Sequence, residues 1–195
     1  MRQSARILGC AGLLALGAPS WSPAEPQAEV EALLVQARSA TARRDYPAAI
    51  DALQKALAEV RRAAPLVADP FLLVAEPAKY YGGYLPRGNA EFRRNEDLNF
   101  YLEPKNLVYP RSPDGLYKPG FDVGFEIVDA DGDVVARQER FGSFQFTSRS
   151  VLQDIYVNLH LTFEGAPPGA YEVRFTVKDA NSAKTATVKQ SFKVM

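Results

Sequence analysis

The chain has 195 residues, of which 47% are apolar, 24% charged and 11% aromatic. This composition is typical of a chain that folds around a core, and it excludes an intrinsically disordered protein. Lysine plus arginine and aspartate plus glutamate both number 23. Because the formal net charge is zero, no general electrostatic attraction to nucleic acid or to anionic lipid is expected.

The first 24 residues have the three parts of an export signal. Arg2 and Arg6 precede an uncharged apolar run from Ile7 to Gly17, and small residues surround Ser20 and Ala24. A membrane anchor needs about 20 consecutive apolar residues, which is more than this run contains. We therefore predict a signal peptide cleaved near Ser20 or Ala24, and a periplasmic or secreted chain without a transmembrane helix.

Cys10 is the only cysteine of the chain and lies inside the predicted signal. The segment Ile7-Leu8-Gly9-Cys10 is similar to a lipobox, but the apolar run continues beyond the cysteine, and we therefore favour cleavage over lipidation. Because cleavage would remove the only cysteine, the mature chain would have no disulfide, no thiolate nucleophile and no cysteine metal ligand. It would also leave 21 basic residues against 23 acidic ones.

Residues 26–64 carry apolar side chains at helical spacing, in two stripes separated by a break. The first stripe is Val30, Leu33, Leu34, Ala37 and Thr41, and the second is Ala49, Ile50, Leu53, Ala56, Leu57 and Val60. In the break, Asp45 is a suitable N-cap and Pro47 is tolerated in a first helical turn. The pattern predicts two helices of about 15 residues in an antiparallel hairpin that ends near Ala64.

The hairpin resembles a single tetratricopeptide repeat. Tyr46, Ala49, Leu53 and Ala56 match the aromatic, small, large and small positions of the second helix of that repeat, and Leu33 and Ala37 match positions of the first. One such repeat cannot bury its own apolar stripe. We therefore expect Leu33, Leu53 and Leu57 to be buried, either by the following domain, by another copy or by a partner.

Residues 65–89 form a connector punctuated by Pro65, Pro70 and Pro77, each of which disfavours helix in the preceding residue. Between two of these prolines lies a short apolar run, 71–74. We expect this run to pack against the next domain, and the connector to be ordered.

Residues 90–195 change to the period of two that is typical of half-buried strands. The predicted strands are 98–102, 121–127, 134–138, 141–146, 155–163, 171–177 and 186–194. Turn residues separate them, at 129–133, 165–169 and 179–182. About seven short strands favour an antiparallel β-sandwich, and the whole chain is predicted to be mainly β with an N-terminal helical hairpin.

The segment Gly169-Ala170-Tyr171-Glu172-Val173 resembles the start of the penultimate strand in bacterial immunoglobulin-like domains. The resemblance implies an immunoglobulin-like sandwich over residues 90–195 and a role in adhesion or binding. It implies no active site.

The sequence offers little catalytic chemistry. His160 is the only histidine, and the alternation places it opposite the apolar face; a triad would have to combine it with Ser148 or Ser150 and with Asp154. Asp129, Asp131 and Asp133 lack the ligand spacing of a calcium loop and are typical of a charged hairpin turn. We expect no catalytic residue, metal or cofactor, although Glu96, Asp97 and Glu103 leave a pair of carboxylates for glycan hydrolysis as an alternative.

An aromatic cluster lies in the second half of the connector, in the order Tyr80-Tyr81-Gly82-Gly83-Tyr84, with Arg87 close behind. Exposed tyrosines beside glycines can form a flat contact surface for a sugar ring or a protein. They can equally well pack against the sandwich or at its junction with the helices. Both interpretations remain open.

From this architecture we expect an exported, non-catalytic protein of the cell envelope that binds another envelope protein or itself, as an adaptor or a structural element. The candidate contact residues are Leu33, Leu53, Leu57, Tyr80, Tyr81, Tyr84 and Arg87. The alternative is a carbohydrate-binding module that uses the tyrosines, and a glycan hydrolase is the third possibility.

Overall fold

The computed structural model describes residues 25–195. The predicted signal peptide and Cys10 lie outside the described residues. Two helices come first, α1 (Glu25–Ala42) and α2 (Tyr46–Ala63), followed by eight strands: β1 (Val67–Val74), β2 (Glu91–Phe92), β3 (Asp97–Lys105), β4 (Gly120–Asp129), β5 (Val134–Gln145), β6 (Val157–Thr162), β7 (Gly169–Asp179) and β8 (Thr185–Val194). The chain is thus mainly β with two N-terminal helices, and no helix in its described part is long and apolar enough to cross a membrane.

The helical hairpin forms where the sequence predicts it. Asp45 caps α2, because its carboxylate accepts a hydrogen bond from the backbone N–H of Ala48 at 3.2 Å, and Pro47 stands in the first turn. Three buried alanines of α2, Ala49, Ala52 and Ala56, face α1, on which Ala37 and Ala40 are buried. Small side chains allow the two helix axes to approach closely, and these alanines form the contact between the two helices.

The strands form two sheets that share one core. The smaller sheet is antiparallel in the order β1-β3-β6, and the larger has the order β2-β8-β7-β4-β5. Phe100 from β3 and Phe175 from β7 meet across the core, with ring centroids 5.1 Å apart. The prediction of antiparallel pairing throughout is wrong at one point, since the short strand β2 runs parallel to β8.

Two predicted segments take a different form in the structure. The apolar run 71–74 of the connector lies within β1, an edge strand of the smaller sheet, whose register shifts between Ala68 and Phe71, around Pro70. The predicted strands 134–138 and 141–146 are one long strand, β5, with an irregularity opposite Gly124. A Cβ at Gly124 would lie 2.5 Å from the carbonyl oxygen of Glu139, so only glycine permits this close approach.

The hairpin touches the sandwich through the end of α2. The Lys184 ammonium donates to the carbonyl oxygens of Arg61, at 2.9 Å, and Asn106, at 3.0 Å. The Arg61 guanidinium donates to the side chain of Gln153 at 2.5 Å. Desolvation lowers the pKa of Lys184, since two carbonyls replace part of its hydration shell. This contact anchors the C-terminal end of the hairpin.

Of the three ways in which the helix stripe could be buried, the structure excludes burial by the following domain. Leu53 and Leu57 are exposed, and Leu33 is only half-buried. The physical reason is that the hairpin is closed by its alanines and touches the sandwich at one end. About half of the surface of Leu53 and of Leu57 is therefore left uncovered within residues 25–195.

Candidate functional site

The clearest candidate for a contact surface is a row of large apolar side chains along α2 that remain exposed. Between 45% and 58% of each residue is exposed. We call this row the α2 stripe, and it consists of Tyr46, Ile50, Leu53, Leu57 and Val60. On α1, Leu34 and Val35 are also exposed. A contiguous apolar patch of this kind marks an interaction surface more often than chance exposure does.

The stripe is separate from the contact between the two helices. Each residue advances about 100° around a helix, so the buried alanines of α2 are centred roughly 90° from the middle of the stripe. One side of α2 is thus used for the hairpin and an adjacent side is left open. A change in the α2 stripe therefore leaves the alanine contact untouched.

The spacing within the α2 stripe is regular. From Tyr46 to Val60 the intervals alternate between four and three residues. An average of about 3.5 residues is the repeat of a coiled-coil seam, in which each side chain inserts between those of a facing helix. The seam is about 21 Å long at the helical rise of about 1.5 Å per residue. Its geometry fits a helix of three to four turns.

The tyrosine cluster lies on the outer face of the smaller sheet, away from the main core. Residues 75–86 fold back over this face, and Asn158 on β6 holds them by donating to the carbonyl of Ala78 at 2.8 Å and accepting from its N–H at 2.9 Å. Beneath them, Tyr101 is 0% exposed. The ring of Tyr101 contacts those of Tyr84, at 4.5 Å between centroids, and Tyr156, at 5.4 Å.

Glu103 is a buried carboxylate at the centre of this cluster. It accepts a hydrogen bond from the Tyr101 hydroxyl at 2.7 Å and one from the Tyr81 hydroxyl at 2.9 Å. The Tyr101 oxygen also accepts from the Gly82 N–H at 2.8 Å. Burial raises the pKa of Tyr101, and the hydrogen bond that Tyr81 donates to Glu103 raises the pKa of Tyr81.

The three tyrosines named from the sequence thus have different surroundings. Tyr81 has its hydroxyl engaged by Glu103, and Tyr84 is half-buried against Tyr101. Tyr80 is 68% exposed, and any side chain at Gly83 would overlap its ring. Two of the three pack against the sheet, so Tyr80 offers the most open ring for a sugar.

The sequence did not single out Tyr101 or assign Glu103 its buried role. Alternation along 98–102 places both on the face opposite the main core, where exposure is the ordinary expectation. Both faces of β3 are buried because residues 75–86 cover the outer one. The usable signal was the tyrosine-rich segment itself, which supplies Tyr81, one of the two phenols that donate to the buried carboxylate.

The carboxylates do not form a glycosidase pair that includes Glu103. Glu103 and Asp97 stand at opposite ends of β3, six residues and therefore about 20 Å apart. The two carboxylates of a glycosidase lie roughly 5 to 10 Å apart. Glu96 itself accepts from the Arg93 N–H and from the Arg87 guanidinium, both at 2.8 Å. Glu96 therefore stabilises the conformation of residues 87–96 through these two hydrogen bonds.

His160 and the aspartate turn occupy the positions expected from the sequence. His160 is exposed, with one ring nitrogen 3.0 Å from the side-chain oxygen of Asn99 and the other 3.5 Å from a carboxylate oxygen of Asp97, and no serine of the described chain forms a hydrogen bond with it. Asp129 accepts from the N–H groups of Asp131 and Asp133 at 3.0 Å and 2.9 Å, which closes a hairpin turn. Within residues 25–195 no group of three metal-ligating side chains is assembled.

No known family model matches the chain, and no curated protein matches it either. Among solved structures it is similar to an alkylpurine DNA glycosylase of Pseudomonas fluorescens, at 11% identity over 77% of this chain and 40% of that one, with a TM-score of 0.38. It is similar to a family 123 glycoside hydrolase of Clostridium perfringens, at 11% identity over 67% of this chain and 27% of that one, with a TM-score of 0.39.

A superoxide reductase of Ignicoccus hospitalis aligns at 8% identity over 66% of this chain and 82% of that one, with a TM-score of 0.35. The chain spans less than half the length of the glycosylase and of the glycoside hydrolase. These TM-scores are all below 0.5, and the likenesses therefore carry no argument about fold family or function.

Proposed function

We propose that this chain is an exported, non-catalytic adaptor of the cell envelope that binds a helix of another protein, or of a second copy, along the α2 stripe. The observation that carries the proposal is the exposed seam of five large apolar side chains on a helix whose other contact is already made by alanines. A solvent-exposed seam of this size costs hydrophobic free energy that a partner would recover.

The occupant is a helix because of the spacing. A strand or an irregular segment would not follow intervals of four and three residues over four turns, whereas a helix with its own apolar seam would. The flanks of the α2 stripe carry few charges, so apolar packing supplies the main attraction.

The sandwich serves as the rigid base of the hairpin in this proposal, and we infer that it is immunoglobulin-like. In support, the strand order separates β1, β3 and β6 from β4, β7 and β8, as in the two sheets of such domains. In further support, the hydroxyl of Tyr171, near the start of β7, donates to the carbonyl of Pro167 at 2.9 Å. A tyrosine bonded back to the preceding corner is a hallmark of these sandwiches.

The envelope location depends on the proposed signal peptide. Its support is the order of basic, apolar and small residues over the first 24 positions and the absence of cysteine after Cys10. The intact mass of the protein recovered from its own host tests it, since cleavage after Ser20 or Ala24 predicts one defined N-terminus. A recovered protein that retains Arg2 and Arg6 would contradict export by this route.

Site-specific photocrosslinking in the intact cell tests the adaptor role. A photoreactive residue at position 53 is expected to crosslink to one partner, at residues that repeat every three or four positions along it. The same probe at Lys55, on the opposite side of α2, serves as the matched position and is expected to give no such product. Mass spectrometry identifies whether the partner is another protein or a second copy.

Substitutions provide the second arm. Leu57→Asp is expected to abolish the crosslink from position 53, because burying a charge within the apolar α2 stripe costs free energy. Ala58→Asp, which introduces the same charge at an exposed position off the stripe, is expected to retain it. Because Leu57 is exposed, the helix content of Leu57→Asp by circular dichroism stays unchanged. Crosslinks that are equal at 53 and 55, or that survive Leu57→Asp, would refute the proposal.

A further inference from the structure

A hollow rich in arginine lies beside the short strand β2, far in sequence from the α2 stripe. Its lining includes Arg87, Arg93 and Arg94, with the side chains of Asn89 and Asn95, and its volume is about 630 Å³. A hollow of that size accommodates a small organic ligand. Three arginines line this hollow, and proteins use the guanidinium donors of arginine to hold oxyanions.

Arg87 is held in place with donors to spare. Its guanidinium lies 4.1 Å above the Phe92 ring, and its Nη2 donates to the Glu91 carbonyl at 2.9 Å and to Glu96 at 2.8 Å. Its Nε is buried and has no hydrogen-bond partner, the one side-chain atom of the described chain in that condition. A buried donor without an acceptor is costly, and bound water or a bound ion is a usual explanation.

Arg93 and Arg94 stand on a fixed turn. The Glu96 N–H donates to the Arg93 carbonyl at 3.1 Å and closes the turn, and Asn95 has a φ of 59°. The side chain of Asn95 accepts from the N–H of Gly165 at 3.1 Å, which fastens the turn to the loop after β6. The backbone that carries both arginines is therefore positioned before any ligand arrives.

Arginines outnumber the acidic side chains around the hollow by three to two. Glu96 pairs with Arg87, and its pKa is lowered by the hydrogen bond from the Arg93 N–H and by Arg87, so this carboxylate stays ionised. Arg93 and Arg94 form no ion pair within residues 25–195. Glu91 is the remaining acidic side chain of the lining. A compact oxyanion would supply acceptors to Arg93 and Arg94, the two arginines that have no ion-pair partner within the described residues.

We propose that this hollow binds a tetrahedral oxyanion, either a phosphate monoester or a sulfate group, through Arg93 and Arg94, with Arg87 as the fixed third donor. A planar carboxylate with a single charge would satisfy one guanidinium edge and leave the second arginine unpaired. The proposal is independent of the α2 stripe, and either can fail without the other.

Titration of the purified protein with inorganic phosphate at constant ionic strength tests the proposal, followed by amide chemical shifts. Saturable shifts are expected at residues 87–96, and chloride at the same ionic strength is expected to produce none. Glycerol 3-phosphate and sulfate form two further arms, and tighter binding of the ester would identify a phosphorylated ligand as the source. Shifts that grow linearly without saturation, or that are the same with chloride, would overturn the proposal.

Matched variants separate a site from general attraction to positive charge. The double variant Arg93→Ala/Arg94→Ala is expected to weaken phosphate binding at least tenfold. The double variant Arg140→Ala/Arg149→Ala removes the same charge from exposed positions elsewhere and is expected to change it less than twofold. Equal losses in the two variants would refute a defined site. Because all four side chains are on turns or on the exposed strand β5, thermal unfolding checks that each variant retains its fold.

Discussion

The hydroxyl of Tyr101 is the atom whose removal tests the covered face of the smaller sheet most directly. The substitution Tyr101→Phe keeps the ring and its contacts and deletes one oxygen. That oxygen donates to Glu103 at 2.7 Å and accepts from the Gly82 N–H at 2.8 Å. The hydrogen bond to a carboxylate contributes roughly 1.5 to 3 kcal/mol and the neutral one roughly 0.5 to 1.5 kcal/mol. The expected loss in the free energy of unfolding is therefore about 3 kcal/mol.

Urea denaturation followed by fluorescence measures this loss, and Tyr156→Phe is the matched control. The ring of Tyr156 stacks on that of Tyr101, yet its hydroxyl makes no hydrogen bond within the described part of the chain. Its removal is expected to cost less than about 0.5 kcal/mol, as for a surface change. If Tyr101→Phe cost as little as Tyr156→Phe, Glu103 would not be held by Tyr101 in solution and the description of this face would be wrong.

Two further predictions concern the alanine contact between the two helices and the carboxylate of Glu96. Ala52→Leu is expected to destabilise the hairpin by roughly 1 to 3 kcal/mol through overpacking, whereas Ala58→Leu at an exposed position is expected to be nearly neutral. The loss of helical circular dichroism on heating measures both effects. Equal effects would refute the packing of the two helices through their alanines. The pKa of Glu96 is lowered on folding, so the stability that its charged form provides is present above its unfolded value of 4.5 and is lost as the pH falls through the lower folded value. The stability of Glu96→Gln should therefore fall less steeply with acid than that of the parent, and parallel profiles of urea midpoint against pH would contradict this.

The local elements could be predicted because their signals repeat within one element. A spacing of about 3.6 residues located the helices, including the cap at Asp45 and the end near Ala64, and a spacing of 2 located most strands of the sandwich. The strand at 67–74 escaped this reasoning, because prolines on either side of the apolar run 71–74 favoured a connector. An edge strand tolerates proline, since one side of its backbone needs no partner.

The candidate sites were accessible to sequence reasoning only in part. Leu53, Leu57 and the tyrosines could be named from their pattern, but whether each is covered depends on what folds over it. Burial of Leu53 and Leu57 by the following domain, one of the three possibilities, does not occur because the two helices pack through their alanines. The apolar spacing alone could not distinguish that possibility from the other two. The arginine hollow depends on the contact between Asn95 and Gly165, 70 residues apart.

The sequence by itself determined the mainly β character of the chain and the helical hairpin with its cap. Tertiary structure alone decided which faces are covered: both sides of β3, but not the α2 stripe. The physical reason is that periodicity records which side chains share a face, whereas burial is a property of two surfaces brought together by contacts distant in sequence.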